Sequence, residues 1–174
     1  MYCKVTNHAD KTRLDELFPA VREYQKLAAK HGIGDIFQDN GGKLLQTLLV
    51  LDLKCMGSRE GNDALDAEGN EYELKTVNIL LTKSFSTHHH LNPTILAKYR
   101  KVKAWYFSVY QSIELIEIYR MEPGQLEQDF FSKWEKKWRD SGGKDINNPK
   151  IPVAYVRSKG ELIYSDPADG KIIK

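Results

Sequence analysis

The sequence predicts an α+β fold, with helices flanking a central mixed or antiparallel sheet. Three observations predict it. The first third carries apolar residues at helical spacing. The middle holds runs rich in aromatic and β-branched residues, separated by turn residues. A helix with apolar residues four apart then precedes a last pair of short strands.

The elements follow in order. From Ala9 to Gly32, the residues Leu14, Leu17, Val21, Tyr24 and Leu27 recur at helical spacing. Pro19 interrupts them, so the reading is a kink, or a break with proline opening a second helix. His31-Gly32 reads as the stop. Asp39-Asn40-Gly41-Gly42 is a turn, and the leucine-rich run Lys43 to Leu53 is a buried helix or a helix leading into a strand. A hairpin follows, because Asp66-Ala67-Glu68-Gly69-Asn70 sets a Gly-Asn turn between two strand-like runs. Leu80 to Phe85 is read as continuing it outward to the loop Ser86-Thr87-His88-His89-His90. Asn92-Pro93 has the form of an N-cap followed by proline at the first helical position, opening a helix with Leu96 and Tyr99.

Ala104 to Tyr110 and Ile113 to Met121 are strands turned at Gln111-Ser112. Gly124 to Ser141 is a helix with Leu126, Phe130, Trp134 and Trp138 on one face, ended by Gly142-Gly143. Ile151 to Val156 and Glu161 to Tyr164 are read as a final hairpin. The tail, residues 165–174, is polar and expected to be loosely held. No repeat, low-complexity tract or interdomain linker divides the chain, so residues 1–174 are one domain. Its 174 residues are enough to bury a real core.

Composition narrows the class. At 41% hydrophobic and 29% charged residues this is an ordinary soluble globular composition. No apolar run approaches membrane-spanning length, and Met1-Tyr2-Cys3-Lys4 begins no apolar signal-peptide core. Two cysteines, Cys3 and Cys55, give no disulfide framework and read as free thiols in a reducing cytoplasm. Cys55, beside an apolar run, reads as a small core residue. The net charge of +2 conceals two basic clusters, Lys98-Tyr99-Arg100-Lys101 with Lys103, and a looser set from Lys133 to Lys150. A protein that binds DNA through an acidic metal centre has such a balance, although solvated helix faces carry lysines too.

The chemistry sits in the hairpin. Asp63 precedes the turn, while Glu73 and Lys75 follow it two residues apart, on one side of a strand because side chains alternate. Folding at the turn brings Asp63 opposite the neighbourhood of Glu73. Two carboxylates that share a divalent cation, with an ammonium beside them, are the minimum equipment for metal-assisted phosphodiester cleavage. The short pattern alone also describes a solvated hairpin with outward charges.

Longer segments carry a resemblance. These are Asp35-Ile36-Phe37-Gln38-Asp39-Asn40-Gly41-Gly42-Lys43-Leu44-Leu45-Gln46, Arg59-Glu60-Gly61-Asn62-Asp63-Ala64, Glu71-Tyr72-Glu73-Leu74-Lys75, Phe85-Ser86-Thr87-His88-His89-His90, Ala97-Lys98-Tyr99-Arg100, and Lys144-Asp145-Ile146-Asn147-Asn148-Pro149-Lys150-Ile151-Pro152-Val153. In this order they resemble the PvuII-like type II restriction endonucleases, of the PD-(D/E)xK nuclease superfamily, from about the first helix to the final hairpin. Asn62 stands where the superfamily name has proline, as in the PvuII-like enzymes. A few extra N-terminal residues, a small insertion around Trp105 to Ser112 and a longer C-terminal tail depart from the pattern.

The resemblance implies a restriction-endonuclease-like fold and Mg²⁺-dependent hydrolysis of double-stranded DNA at the palindrome CAGCTG, cut at its centre to blunt ends with 5′-phosphates. It implies Asp63 and Glu73 as metal ligands, with the backbone carbonyl of Leu74 as a third. Lys75 would orient or deprotonate the attacking water, the latter requiring a lowered pKa. Tyr99 would approach the same water, and Glu60 is a further acid of the neighbourhood. Glu71 shares the Glu73 face but lies too near the turn to reach the same ion. For DNA recognition it implies His89 as the guanine reader in the major groove, Ser86 and His90 in support or on the backbone, Asn147 and Asn148 as adenine readers, and Asp39 from the minor groove. Three adjacent histidines seldom converge on one metal, because neighbours in an extended chain point apart.

A palindrome calls for a two-fold reader, so a homodimer is expected. About residues 9–32 would form its helical dimerisation region, 43–110 the catalytic core and 111–164 the DNA-recognition part. A DNA methyltransferase would be its functional partner, not necessarily bound. A structure-selective repair or junction nuclease on the same scaffold, and a DNA-binding protein without turnover, are the competing readings.

Overall fold

The computed structural model describes residues 10–56 and 63–166. Helix α1 runs unbroken over Lys11–Lys30 with Pro19 inside it. Of the two expected outcomes, a kink or a break, the break does not occur. Pro19 is exposed, so the carbonyl it leaves unbonded lies on a solvent-facing stretch where water can satisfy it. The helix ends as the sequence predicts. Gly32 takes φ +81°, its N–H donates to the Ala29 carbonyl at 3.1 Å, and the Ile33 N–H reaches back to Ala28 at 3.0 Å.

Helix α2, Gly41–Leu51, is entered through two left-handed residues, Asp39 at φ 48° and Asn40 at φ 62°. A Cβ on Gly41 would stand 2.3 Å from the Asp35 carbonyl oxygen, so only glycine lets the helix start this close to the preceding loop.

Strands β1 (Lys54–Cys55), β2 (Ala64–Leu65) and β3 (Glu71–Asn78) follow. Then come β4 (Ser84–Ser86), helix α3 (Pro93–Lys101), β5 (Ala104–Gln111) and β6 (Glu114–Met121). Asn92 caps α3 as expected, its side-chain oxygen accepting from the Ile95 N–H at 3.1 Å. Among the described residues the main sheet has six strands in the order β1-β2-β3-β5-β6-β8, where β8 is Glu161–Ser165. β3 and β5 are parallel, with α3 in the crossover between them, and the other neighbours are antiparallel. The α+β fold with a mixed central sheet agrees with the sequence.

Three stretches differ from the sequence reading. β3 does not continue through Leu80 to Phe85. It stops at Asn78, whose side-chain oxygen accepts from the N–H groups of Leu80 and Ser112 at 3.1 Å each and turns the chain. The chain then enters β4, which belongs to a separate two-stranded sheet with β7, Lys150–Pro152. Nor is there a hairpin between residues 151–156 and 161–164. After Pro152 the chain forms helix α6, Val153–Lys159, and β8 pairs with β6. Val153 and Val156, three apart, both face the core from α6, which a strand would not allow.

The long helix is α4 (Pro123–Leu126), a π turn (Glu127–Phe131) and α5 (Ser132–Asp140). The wider π turn carries Phe131, not Phe130, into the fully buried position. Phe130 packs edge-on against Tyr155 at 4.8 Å instead.

Both faces of the sheet are covered. Ala28, Leu45 and Leu48 from α1 and α2 pack on Tyr72 and Leu74. Leu96, Tyr99, Leu126, Phe131 and Val156 pack on Val77, Trp105 and Phe107 on the opposite face. Each fully buried side chain of this size contributes roughly 2–3 kcal/mol. Cys55 is half-buried and packs against the first cluster. Among the described residues no helix is long and apolar enough to cross a membrane.

Candidate active site

Strand β3 is central, so it is buried on both faces, and its alternation sends Tyr72 and Leu74 to the α1/α2 side and Glu73 and Lys75 to the α3 side. β2 pairs with β3 for two residues only, Ala64 with Tyr72 and Leu65 with Glu71. Beyond that pairing the β3 edge is taken up by Asp63. Its N–H donates to the Tyr72 carbonyl at 3.1 Å, and its Oδ2 accepts from the Leu74 N–H at 2.8 Å. In a strand the N–H and C=O of one residue point to the same edge, so the Leu74 carbonyl shares this edge with the Asp63 carboxylate.

The Lys75 ammonium lies between the two carboxylates. It donates to Glu73 Oε1 and sits 3.8 Å from Asp63 Oδ2. Tyr99 and Trp105 wall it in, their ring centroids 5.7 and 5.8 Å from Nζ and 4.6 Å from each other in an edge contact. Burial pushes the Glu73 carboxyl up to about 7, with Lys75 pulling against it and Asp63 adding to it. Burial acts to lower Lys75, but the Glu73 and Asp63 carboxylates outweigh it and hold the amine above its ordinary range. The lowered pKa that a lysine base needs is therefore not present in this arrangement. Burial also raises the Tyr99 phenol, with Lys75 opposing.

A cavity of about 230 Å³ opens over Asp63 and Lys75, lined also by Asp39, Asn40, Leu74 and Ser86; Glu73 lies behind Lys75 and is not among its lining residues. The donors fit a hard divalent cation: two carboxylates and a carbonyl offer oxygen only, and a cationic ammonium already lies between the carboxylates. Among the described residues no group of three or more His, Cys, Asp or Glu side chains could hold a metal, so water and substrate oxygens would complete the shell. Glu60 lies outside the described residues, as does Cys3. Glu71 is exposed at the turn end of β3.

The predicted DNA-reading residues other than Asp39 form a ridge built from two distant segments. Leu91 and Ile146 exchange backbone bonds at 3.0 and 2.9 Å. The Asn148 N–H donates to the His88 carbonyl at 2.9 Å, the Thr87 N–H donates to Asn148 Oδ1 at 3.0 Å, and the Thr87 hydroxyl donates to the Pro149 carbonyl at 2.6 Å. Lys150 Nζ donates to Ser86 Oγ at 2.7 Å. His89 Nδ1 lies 3.4 Å from Asn147 Oδ1, and His90 Nδ1 lies 3.9 Å from Asp145 Oδ2. His89, His90 and Asn147 are exposed at the crest. Asn148 is partly buried, left-handed at φ 46°, and latched to Thr87 through its side-chain oxygen. The two asparagines therefore hold unequal positions. The histidines do not converge on a point: the His90 N–H donates to His88 Nδ1 at 3.0 Å, and their rings stand 6.5 Å apart.

Sequence reasoning placed the acids, Lys75 and both loops, and the structure brings Asp39, Ser86 and Asp63 to one cavity. It missed Thr87 and Lys150, which carry no local signal because their partners lie 62 and 64 residues away. It also left Arg100 in a basic cluster. That residue is a brace, bonded to both Glu127 oxygens at 2.9 Å and to Glu135 at 3.0 Å, tying α3 to the π turn. Compared with known proteins, residues 9–164 match the model of the family described as restriction endonuclease PvuII.

Proposed function

The chain belongs to the restriction endonuclease PvuII family and is a type II site-specific deoxyribonuclease; from that premise we propose that it hydrolyses double-stranded DNA at CAGCTG with Mg²⁺, cutting at the centre to blunt ends that carry 5′-phosphates. The observation that carries this reading is the placement of Asp63, Lys75 and Ser86 on one cavity, with the ridge of His89, His90 and Asn147 continuing from Ser86. Chemistry and recognition thus share a wall.

Asp63, Glu73 and the Leu74 carbonyl are the groups that would hold Mg²⁺. Once bound, the ion supplies positive charge to the scissile phosphate and promotes ionisation of water. Lys75, protonated and walled in by Tyr99 and Trp105, orients the attacking water and offsets charge building on the phosphate oxygens. Attack of the water oxygen forms a new P–O bond and breaks the P–O3′ bond; the nucleophile's proton passes to solvent and O3′ takes a proton from a solvent water, leaving the phosphate on the 5′ side of the next nucleotide. Tyr99 fixes the Lys75 side chain laterally. On the ridge, Asn147 and His89 offer paired donor and acceptor atoms to base edges, while Asn148 holds the loop to Thr87 and has its amide N–H₂ left to donate. Asp39 also lines the cavity and would reach a base from the minor groove.

Reading a palindrome takes two copies related by a two-fold axis, and we propose a homodimer. The exposed apolar side chains of α1, Leu14, Leu17, Phe18 and Leu27, support α1 as its interface, while Val21 and Tyr24 pack on the protein's own core. The enzyme would act in the cytoplasm beside a methyltransferase that protects the host's own CAGCTG sites. The test is a plasmid digest in Mg²⁺ with the cut ends mapped by sequencing. Blunt cuts confined to CAGCTG are expected. Cuts at another sequence would overturn the assigned specificity, and tight CAGCTG binding without cleavage would overturn the assigned chemistry.

A further inference from the structure

The catalytic arm that carries Asp63 is held by very little of the sheet. β2 has two residues, and its partner strand β1 has two. Yet Asp63 must stay in line with Leu74 and Glu73 to within a fraction of an ångström for two carboxylates to share one ion. Three residues beyond Asp63, on the same arm, stands a side chain with an unusual number of bonds. Asp66 Oδ1 accepts from the N–H groups of Glu68 at 3.0 Å and Asn70 at 2.8 Å. Its Oδ2 accepts from Asn70 Nδ2 at 2.7 Å, from the Tyr72 hydroxyl at 2.8 Å and from Lys103 Nζ at 3.4 Å.

Closing a Gly-Asn turn requires only the first two of these. The Asn70 amide adds a third bond within the turn, and the remaining two leave it. Tyr72 is on β3, one residue from Glu73, and its ring stacks on Tyr106 of β5 at 5.2 Å. Lys103 opens β5, its N–H donating to the Glu71 carbonyl at 2.9 Å and its ammonium lying 5.9 Å from the Tyr72 ring centroid. Asp66 therefore fastens the short arm to β3 and to the entry of β5 at once. The Asp66 carboxyl is held well below the usual carboxylate range by these bonds, against the pull of burial.

We propose that Asp66 is a positioning residue for the metal-holding pair: through Tyr72 and Lys103 it fixes the register in which Asp63 faces Leu74 and Glu73. This rests on the reading of Asp63 and Glu73 as the pair that holds the divalent ion. Asp66 itself does not touch that ion. Groups bonded directly to a metal ligand typically alter affinity by about 10–100-fold when removed; Asp66 acts one contact further out, through Tyr72 and Lys103, so the lower end of that range is expected.

The test measures Mn²⁺ binding to the DNA-free protein by electron paramagnetic resonance, with melting temperature recorded alongside. Asp66→Ala should weaken Mn²⁺ binding about tenfold. Asp66→Asn keeps one oxygen for the turn but loses the charge facing Lys103, so it should fall between the two. It also serves if Asp66→Ala does not fold. A control, Arg157→Gln, removes a clamp between α6 and Glu117 at 2.8 Å, far along the sheet from the hairpin. It should lower the melting temperature yet leave Mn²⁺ affinity within about twofold. Wild-type affinity in both Asp66 variants, with affinity lost in Asp63→Ala, would overturn the positioning role alone. Equal weakening in the Arg157→Gln control would also overturn it, because the loss would then reflect general stability. Full Mn²⁺ affinity in Asp63→Ala would overturn the metal pair on which the inference rests.

Discussion

Replacing Glu73 by glutamine should stabilise the metal-free protein at neutral and alkaline pH while destroying its activity. Glu73 is almost wholly buried, and its carboxyl stands at about 7 instead of the ordinary 4.5. The folded state thus keeps a proton that the unfolded chain gives up between pH 4.5 and about 7. Where the folded state binds more protons, stability falls as pH rises, so the wild type loses stability across that window and no more above it. At about 1.4 kcal/mol per pKa unit the loss reaches at most about 3 kcal/mol. Burial keeps this from being screened by solvent, and the attraction of Lys75 is already contained in it. Glutamine reproduces the protonated form in shape and charge, with Lys75 charged in both. The stability difference between Glu73→Gln and wild type should therefore be near zero at about pH 4.5 and grow to about 2–3 kcal/mol in favour of the variant by about pH 8. The assay is urea denaturation in chelator across this range, at one fixed protein concentration because a dimer's stability depends on it. Adding Mg²⁺ should raise the stability of the wild type and leave the variant unmoved. A variant no more stable than wild type at about pH 8, or a difference independent of pH, would refute the argument that the buried carboxylate is maintained at a cost to the fold.

The same geometry gives four further outcomes. Lys75→Ala should cut cleavage by about a thousandfold and leave gel-shift affinity for CAGCTG largely intact; normal cleavage would remove Lys75 from the chemistry. Asn147→Ala should weaken CAGCTG binding by about 1–3 kcal/mol with melting temperature unchanged. Asn148→Ala should lower binding and melting temperature together, because it breaks the bond to Thr87 and puts alanine at φ 46°; Asn148→Gly should recover part of the stability but not the binding. Leu17→Asp on the exposed face of α1 should shift the protein from dimer to monomer in analytical ultracentrifugation without loss of helix by circular dichroism; a retained dimer would place the interface elsewhere.

The legible parts of this fold are those whose cause is local. The Gly-Asn turn, the Asn92-Pro93 cap, the Gly32 stop and the paired strands Ala104–Gln111 and Glu114–Met121 each follow from residues within a few positions. The two acids and Lys75 were legible because a tight hairpin and strand alternation suffice to bring them together. Residues 153–159 were not. Val153 and Val156 argue for strand by their branching, and only packing on the distant sheet selects a helix. The spacing of Leu126, Phe130, Trp134 and Trp138 likewise conceals the π turn, since regular fourfold spacing says nothing of an inserted residue. At the site, the latch from Thr87 to Asn148 spans 61 residues and leaves no trace in either loop alone.

Ser86 has a double membership. It begins the ridge and also lines the cavity over Lys75, and only eleven residues of chain separate the two. On the proposed assignment, the loop that would meet the bases is also a wall of the cavity over Lys75. A duplex seated badly on that loop would then pull on the backbone that shapes the space for the phosphate. Discrimination between sites would then not have to wait for dissociation: a sequence bound in the wrong fit would deform the chamber it is to be cut in. Fidelity would rest on the stiffness of a few hydrogen bonds as much as on affinity, and softening the latch at Thr87 would blur the sites cut before it abolished cutting.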